Sequence, residues 1–380
     1  MPNIIYLDNA AKTIPYKEVI EVYNEAVTSY FANPSSIHGL GVRCNRLLDQ
    51  ARNDILRLFK LNNHQVLFTS GATESNNLAI KGYALRYKNR GKHIITSAYE
   101  HPSVLEAFDQ LEKEFGFQVT YLNPNAKGII DVESVKAALK EDTILVSLIA
   151  VNNEIGTVNP IEDIAKLLKE YPKIAFHVDA AQAVGKLAKP MSFNDVDMVT
   201  ISGHKIHGLV GVGALLKRKN LELLSLNTGG GQEYNLRSGT NDLAGALAFS
   251  KALEITFRDN GKHYEKVQQM RDILVKYLEN HPELYVLNSL EDSTPYIVNF
   301  STLTKKSSVV VEALSNAGIM VSSTSACHAR NEKGSYVVKS LGKEEKISAN
   351  TVRISFSYMN EKEEVEALID NLNRIIGEIR

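Results

Sequence analysis

Between residues 65 and 201 short apolar runs alternate with amphipathic stretches. The runs at 66–68, 93–96, 118–122, 143–149, 174–178 and 198–201 read as strands. Those at 75–87, 102–114, 132–140 and 161–170 carry the three-to-four-residue apolar spacing of helices. A helix between consecutive strands implies a crossover, so the alternation predicts an α/β fold: a mostly parallel sheet covered on both faces, with ligands at the strand C-terminal ends. The apolar segment 212–216 is expected to close this sheet as its seventh strand. Before the repeat, an extended piece runs into a helix over 17–29, a turn at Pro34 and a long polar helix reaching about residue 61. After it, a helical region covers 242–280. Strands at 296–300 and 352–356, with helices at 307–317 and 361–376, then predict a smaller α+β domain.

Composition narrows the classes of function. A chain of 380 residues can bury a large core and a second smaller one. Lys plus Arg (43) nearly balances Asp plus Glu (44), so net charge implies no nucleic-acid partner. No apolar run approaches the ~20 residues of a membrane span, and the start lacks a signal-peptide pattern, so a cytoplasmic protein with no membrane partner is expected. No metal site is expected. The two cysteines, Cys44 and Cys327, lie far apart and read as thiols rather than as a disulfide. Cys44 sits in a helical stretch and reads as packing.

Candidate chemistry gathers at predicted strand ends. In Thr69-Ser70-Gly71-Ala72-Thr73-Glu74-Ser75 a strand end, a glycine turn and a helix start would present N–H groups and the Thr73 hydroxyl to a phosphate. An ordinary turn capped by Thr73 or Ser75 explains the same stretch equally well. Lys205, in Ser202-Gly203-His204-Lys205, sits on a strand-end loop where a desolvated amine could attack a carbonyl carbon; read alone, it is as well a solvated loop lysine. Asp179 ends another strand, His101 follows a third, and Asn152-Asn153 follows a fourth. A lysine for an imine, a carboxylate for a cationic ring nitrogen and a phosphate cup are together what pyridoxal 5'-phosphate requires. Asn33, in the Pro34 turn, could face a site or merely cap the turn.

These motifs resemble the cysteine desulfurases (NifS/IscS-like) of the class-V aminotransferases, which are fold-type I enzymes. The matching stretches are Tyr6-Leu7-Asp8-Asn9-Ala10-Ala11, Thr69 to Asn77, Glu100-His101, Val151 to Gly156, His177 to Gln182, Ser202 to Lys205, Gly229 to Glu233 with Arg237 to Thr240, and Ser325-Ala326-Cys327. The resemblance spans nearly the whole chain. It implies a large cofactor domain over 16–259, and a small domain from 1–15 and 260–380 that carries the cysteine loop. It further implies that Lys205 bonds the cofactor as a Schiff base, Asp179 pairs with the pyridine nitrogen, His101 stacks on the ring and Gln182 meets its phenolic oxygen. Thr73, Ser202 and His204 would form the phosphate cup, Ala72 would also touch the cofactor, and Thr240 would complete the cup of a partner subunit in a homodimer. Asn33, Asn153 and Arg353 would line the amino-acid substrate, Asn153 also touching the cofactor and Arg353 holding the carboxylate.

By the same resemblance Cys327 takes sulfur from L-cysteine as a persulfide, leaving alanine, and passes it to an acceptor protein in iron–sulfur assembly or tRNA and cofactor thiolation. The adjoining His328 and Arg330 would favour its thiolate. Lys12, Leu209-Val210, Thr324 and His328 to Arg330 depart from the family's usual residues. Two other readings stand beside it. One is selenocysteine lyase or β-elimination on the same scaffold, needing no carrier thiol; the other is a sulfur-relay scaffold with slow turnover.

Overall fold

The computed structural model describes residues 4–323 and 334–377. The chain opens with the short strand β1 (Ile5–Tyr6), followed by α1 (Lys17–Ser29) and α2 (Gly39–Leu58). The main repeat then runs β2 (His64–Thr69), α3 (Ala72–Tyr87), β3 (His93–Ser97), α4 (Pro102–Phe115), β4 (Gln118–Leu122), α5 (Val132–Ala138), β5 (Thr143–Ile149), α6 (Ile161–Leu168), β6 (Ala175–Asp179), β7 (Met198–Ser202) and β8 (Gly213–Arg218). Helices on both faces bury the sheet, which is why β3, β5, β6 and β7 are buried at every position. In α6 the apolar residues Ile161, Ile164, Ala165 and Leu168 recur at helical spacing, and these are its buried positions.

The sheet has the strand order β2-β8-β7-β6-β5-β3-β4. The expectation for segment 212–216 is corrected here. It forms the seventh strand but does not close an edge: β8 lies between β2 and β7 and is antiparallel to both. The link from β7 to β8 holds only a single 3-10 turn, too short for a crossover, so the chain must return antiparallel. The edges are β2 and β4.

Beyond β8 the short turn α7 (Gln232–Asn235) is left-handed at Glu233 and Tyr234, and the long helix α8 (Leu243–Glu279) follows. A second sheet contains β9 (Tyr285–Leu287) and β10 (Ile297–Thr302). After α9 (Ser307–Asn316) come β11 (Ile319–Met320) and β12 (Ser322–Ser323), then α10 (Tyr336–Ser340), α11 (Glu345–Ala349), β13 (Thr351–Ser355) and α12 (Lys362–Gly377). The order is β12-β13-β10-β9, antiparallel throughout, while β1 pairs in parallel with β11.

Among the described residues three apolar clusters result, one on each face of the large sheet and one against the small sheet. Leu243 to Ile255 of α8 pack with the large sheet, whereas Val267 to Leu278 pack with the small one, together with Leu7 and Ala10 of the N-terminal arm. Cys44 is a free thiol with no exposure, as its packing role requires. Among the described residues no helix is long and apolar enough to cross a membrane.

Candidate active site

Parallel strands bring their C-terminal ends to one edge, and the register makes neighbours of residues far apart in sequence. Ile149 pairs with Asp179, Asp179 with Thr200, and Ser202 with Gly213, which also pairs with Thr69. The loop ends that carry Gly71, Asn153, Asp179 and Lys205 therefore share one edge of the sheet.

Asp179 is 2% exposed. One carboxylate oxygen accepts Asn76 Nδ2 at 2.8 Å and the other accepts the Ala181 N–H at 3.0 Å. Asn76 also donates to Ser103 Oγ at 2.9 Å, and Ser103 contacts His101 Nδ1 at 2.8 Å. Because the Ser103 N–H donates to the same Nδ1 at 3.1 Å, that nitrogen is an acceptor and a neutral ring carries its proton on Nε2. His101 thus caps α4, with its ring orientation fixed by the serine. One hydrogen-bonded line joins the carboxylate to the imidazole.

The start of α3 shows why the turn contains glycine. Gly71 occupies the N-cap at φ 149°, and no side chain caps the helix. The cap expected from Thr73 or Ser75 is therefore not formed: Ser75 Oγ is turned to Thr69 Oγ1 at 2.8 Å, and Thr73 is exposed. The first helical N–H groups consequently face outward without a competing side chain. A Cβ on Gly71 would sit in this opening, 3.9 Å from Ser202 Oγ. Ser202 in turn contacts His204 Nδ1 at 3.1 Å. Burial, followed by the nearby Lys205 and Lys186 charges, pushes the His204 imidazole down to about 4, so it is neutral at neutral pH.

Lys205 Nζ donates to the carbonyls of Ala10 and Ala11, at 2.6 and 2.8 Å. Gln182 Nε2 donates to the same Ala10 carbonyl at 2.9 Å. The N-terminal arm therefore does more than precede the fold: its backbone supplies acceptors to the site. Arg353, 4% exposed, donates to the Asn153 carbonyl at 3.0 Å and to Asp8 of the arm at 2.9 Å. Among the described residues neither Arg353 Nε nor Asn153 Oδ1 has a hydrogen-bond partner, though both are buried, a donor and an acceptor left over beside one another's residues. Such buried orphans call for a ligand or water to satisfy them.

Asn33 is exposed and accepts the Ser35 N–H at 2.9 Å, so within this chain it shapes its own turn. Thr240 is exposed after the left-handed turn. Cys327, with His328, Arg330 and Thr324, lies outside the described residues. Several residues left without an individual role by the sequence also belong to the site. Asn76 and Ser103 brace Asp179 and His101, Asp8 pairs with Arg353, and Lys186 contacts Gln182. The signal for Lys186 was its position four residues after Gln182. Glu100, fully buried, accepts the Ile149 N–H at 3.0 Å and a Ser97 hydroxyl, and burial raises its carboxyl to about 8.

The Aminotransferase class-V family profile matches residues 5–368. The chain belongs to the cysteine desulfurase branch of the class-V aminotransferases. It is 39% identical to a "NifS/IcsS protein homolog" of Lactobacillus delbrueckii subsp. bulgaricus, covering 98% of this chain and 97% of that one. It is 37% identical to the cysteine desulfurase IscS of Dictyoglomus turgidum, covering 100% and 96%. Among solved structures, a NifS-like protein superposes with a TM-score of 0.91 at 32% identity over 99% of this chain and 100% of that one. A structure of SspA in complex with cysteine gives 0.81 at 35%, over 93% and 98%.

This desulfurase is a fold-type I enzyme that depends on pyridoxal phosphate, and the residues present fit that group. The uncapped α3 start with Ser202 offers an anion cradle, and the braced Asp179 carboxylate suits a cationic ring nitrogen. Lys205 places an amine at the same sheet edge.

Proposed function

We propose that the chain removes sulfur from L-cysteine, releases L-alanine and passes the sulfur, as a persulfide on Cys327, to an acceptor protein. The observation that carries this is the meeting at one sheet edge of Lys205, a carboxylate held by two N–H donors and an uncapped helix start. Lys205 would bond the cofactor. Asp179 would face its ring nitrogen, His101 its ring face and Gln182 its phenolic oxygen. Thr73, Ser202 and His204 would hold its phosphate, Ala72 would also touch the cofactor, and Thr240 of a second copy would complete the cup in a homodimer.

When bound, pyridoxal phosphate supplies an electron sink that acidifies the amino acid's Cα and polarises its Cβ–S bond. The chain's own residues do the rest. Arg353 binds the substrate carboxylate; its fork is already oriented by Asp8 and Asn153, and its free Nε can add a further N–H. Asn33 and Asn153 would line the substrate beside it. The Lys205 amine, once released, moves the proton between carbon atoms. Asn76 holds Asp179 so that its charge stays aimed at the ring. The Cys327 thiolate attacks the substrate sulfur, the Cβ–S bond breaks, and the electron pair left on carbon takes up a proton to give alanine.

The division into 16–259 and 1–15 with 260–380 is proposed as well, supported by the change of core partner along α8 between Ile255 and Val267. A cytoplasmic location is proposed too, since a reducing compartment suits a chain whose two cysteines read as thiols. Incubation of the cofactor-loaded protein with L-cysteine tests the activity: alanine should appear in step with sulfur added to the Cys327 peptide. Pyruvate and free sulfide with no sulfur on that peptide would identify an elimination lyase.

A further inference from the structure

Lys186 ends in an amine on a long side chain, yet the residue is only 5% exposed. Its backbone is fixed so that the chain must point inward. The Lys186 N–H donates to Ala183 O at 3.2 Å and its carbonyl accepts the Thr294 hydroxyl, while the preceding Gly185 turns at φ +74° against Thr256. Lys186 lines a small cavity together with Lys205, Val184, Tyr296 and Phe356. There its amine donates to Gln182 Oε1.

Gln182, 3% exposed, has its other end on Ala10 O, the carbonyl that also accepts Lys205 Nζ. One amide and one carbonyl thus connect the two amines. A carboxamide is nearly symmetric in shape, and only its neighbours decide which end carries the N–H. Here the amine donates to Oε1 and the Ala10 carbonyl accepts from Nε2, so both neighbours favour the same orientation. Without Lys186 the buried Oε1 loses its donor and the flipped amide becomes accessible.

We propose that Lys186 is a positioning residue that fixes the Gln182 amide with its N–H toward the Ala10–Lys205 side and its carbonyl away from it. This rests on the reading above in which Gln182 meets the cofactor's phenolic oxygen, an atom that needs the N–H and is repelled by the carbonyl. Burial, then the Lys205 and Arg353 charges, holds the Lys186 amine well below the usual lysine range. Keeping an amine in such a place opposes folding, which is a reason to look for its use in the site rather than in stability.

The test is a titration of cofactor-free protein with pyridoxal 5'-phosphate, following the dissociation constant and the visible absorption maximum of the bound cofactor. Lys186→Met, Gln182→Leu, the double variant and Lys186→Arg are compared with the wild type. Lys186→Met should weaken binding by about threefold to tenfold, the range of one lost hydrogen bond, and displace the maximum in the same direction as Gln182→Leu. The double variant should be no worse than Gln182→Leu alone, because Lys186 acts only through the amide. Lys186→Arg, which keeps a donor, should recover most of the affinity.

Wild-type affinity and maximum in Lys186→Met would overturn the proposal, as would losses that multiply in the double variant. Thermal unfolding of the cofactor-free proteins at pH 7 separates a structural role: Lys186→Met should melt at or above the wild-type temperature. A lower melting temperature, or a failure to fold, would assign Lys186 to the fold and sink the idea. Absence of cofactor binding by the wild type itself would instead remove the functional reading on which the inference rests.

Discussion

Replacing Glu100 by glutamine tests how strongly this sheet edge is desolvated. Glu100 has no exposed surface and accepts hydrogen bonds from Ile149 N–H and Ser97, while its second carboxyl oxygen is buried with no partner among the described residues. Burial, against the help of those two donors, raises its carboxyl from 4.5 to about 8, with the Asp179 charge adding to the rise. For an acid raised in the folded state, stability is fully present below the unfolded value and is lost as pH rises through the folded one. Each pH unit between the two costs about 1.4 kcal/mol, so from pH 4 to pH 7 the wild type loses about 3 kcal/mol through this residue. Glu100→Gln cannot ionise and should escape that loss. Its amide places an N–H where Oε2 lacks a partner, which costs about 1–3 kcal/mol at every pH. The signature is therefore a changing gap, not a fixed one. With an unfolding entropy of about 0.8 kcal/mol per kelvin for a chain of this length, the melting temperature of the variant should gain about 4 °C on the wild type between pH 4 and pH 7. Calorimetry or circular dichroism of the cofactor-free protein at both pH values measures it. A gap that stays constant, or shrinks, would mean that Glu100 is ionised in the folded protein and that the edge is wetter than its burial implies.

Lys205→Ala should lose the visible absorption of the loaded protein and all alanine formation; retention of either would remove Lys205 from its assigned place. Asp179→Asn should keep part of its cofactor affinity but lose at least a hundredfold in turnover, since an amide offers no charge to a protonated ring nitrogen, and near-normal kcat would refute that pairing. In Arg353→Lys a point charge replaces a fork that reaches Asn153 and Asp8 together, so KM for cysteine should rise on the order of tenfold, with unchanged KM counting against carboxylate binding. Cys327→Ser should bind cysteine yet add no sulfur to its peptide, while Cys44→Ser, altering a buried packing thiol, should turn over nearly as the wild type does. Wild-type sulfur release from Cys327→Ser would point to direct elimination.

Local pattern determined a great deal. The alternation of apolar runs and helical stretches is a property of neighbouring residues, and it specified the crossovers, the parallel sheet and the edge where Thr73, His101, Asn153, Asp179 and Lys205 emerge. The glycine at position 71 likewise carried its meaning in sequence, as a turn before a helix start. Other features depend on groups that only folding brings together. Strand β8 reads like any apolar run, and its place inside the sheet follows from how short the return from β7 is. The Asp8–Arg353 pair spans 345 positions, the contact of Lys205 with Ala10 spans 195, and that of Asn76 with Asp179 spans 103. Lys186 lies only four residues from Gln182, yet a lysine at that spacing is ordinarily a solvated surface residue. What turns it inward is the Gly185 bend and the Thr294 hydroxyl on its carbonyl, 108 positions away. Hydrophobic periodicity reports which face of an element is buried, but it carries no record of which distant polar atom waits there, and that is settled by packing alone.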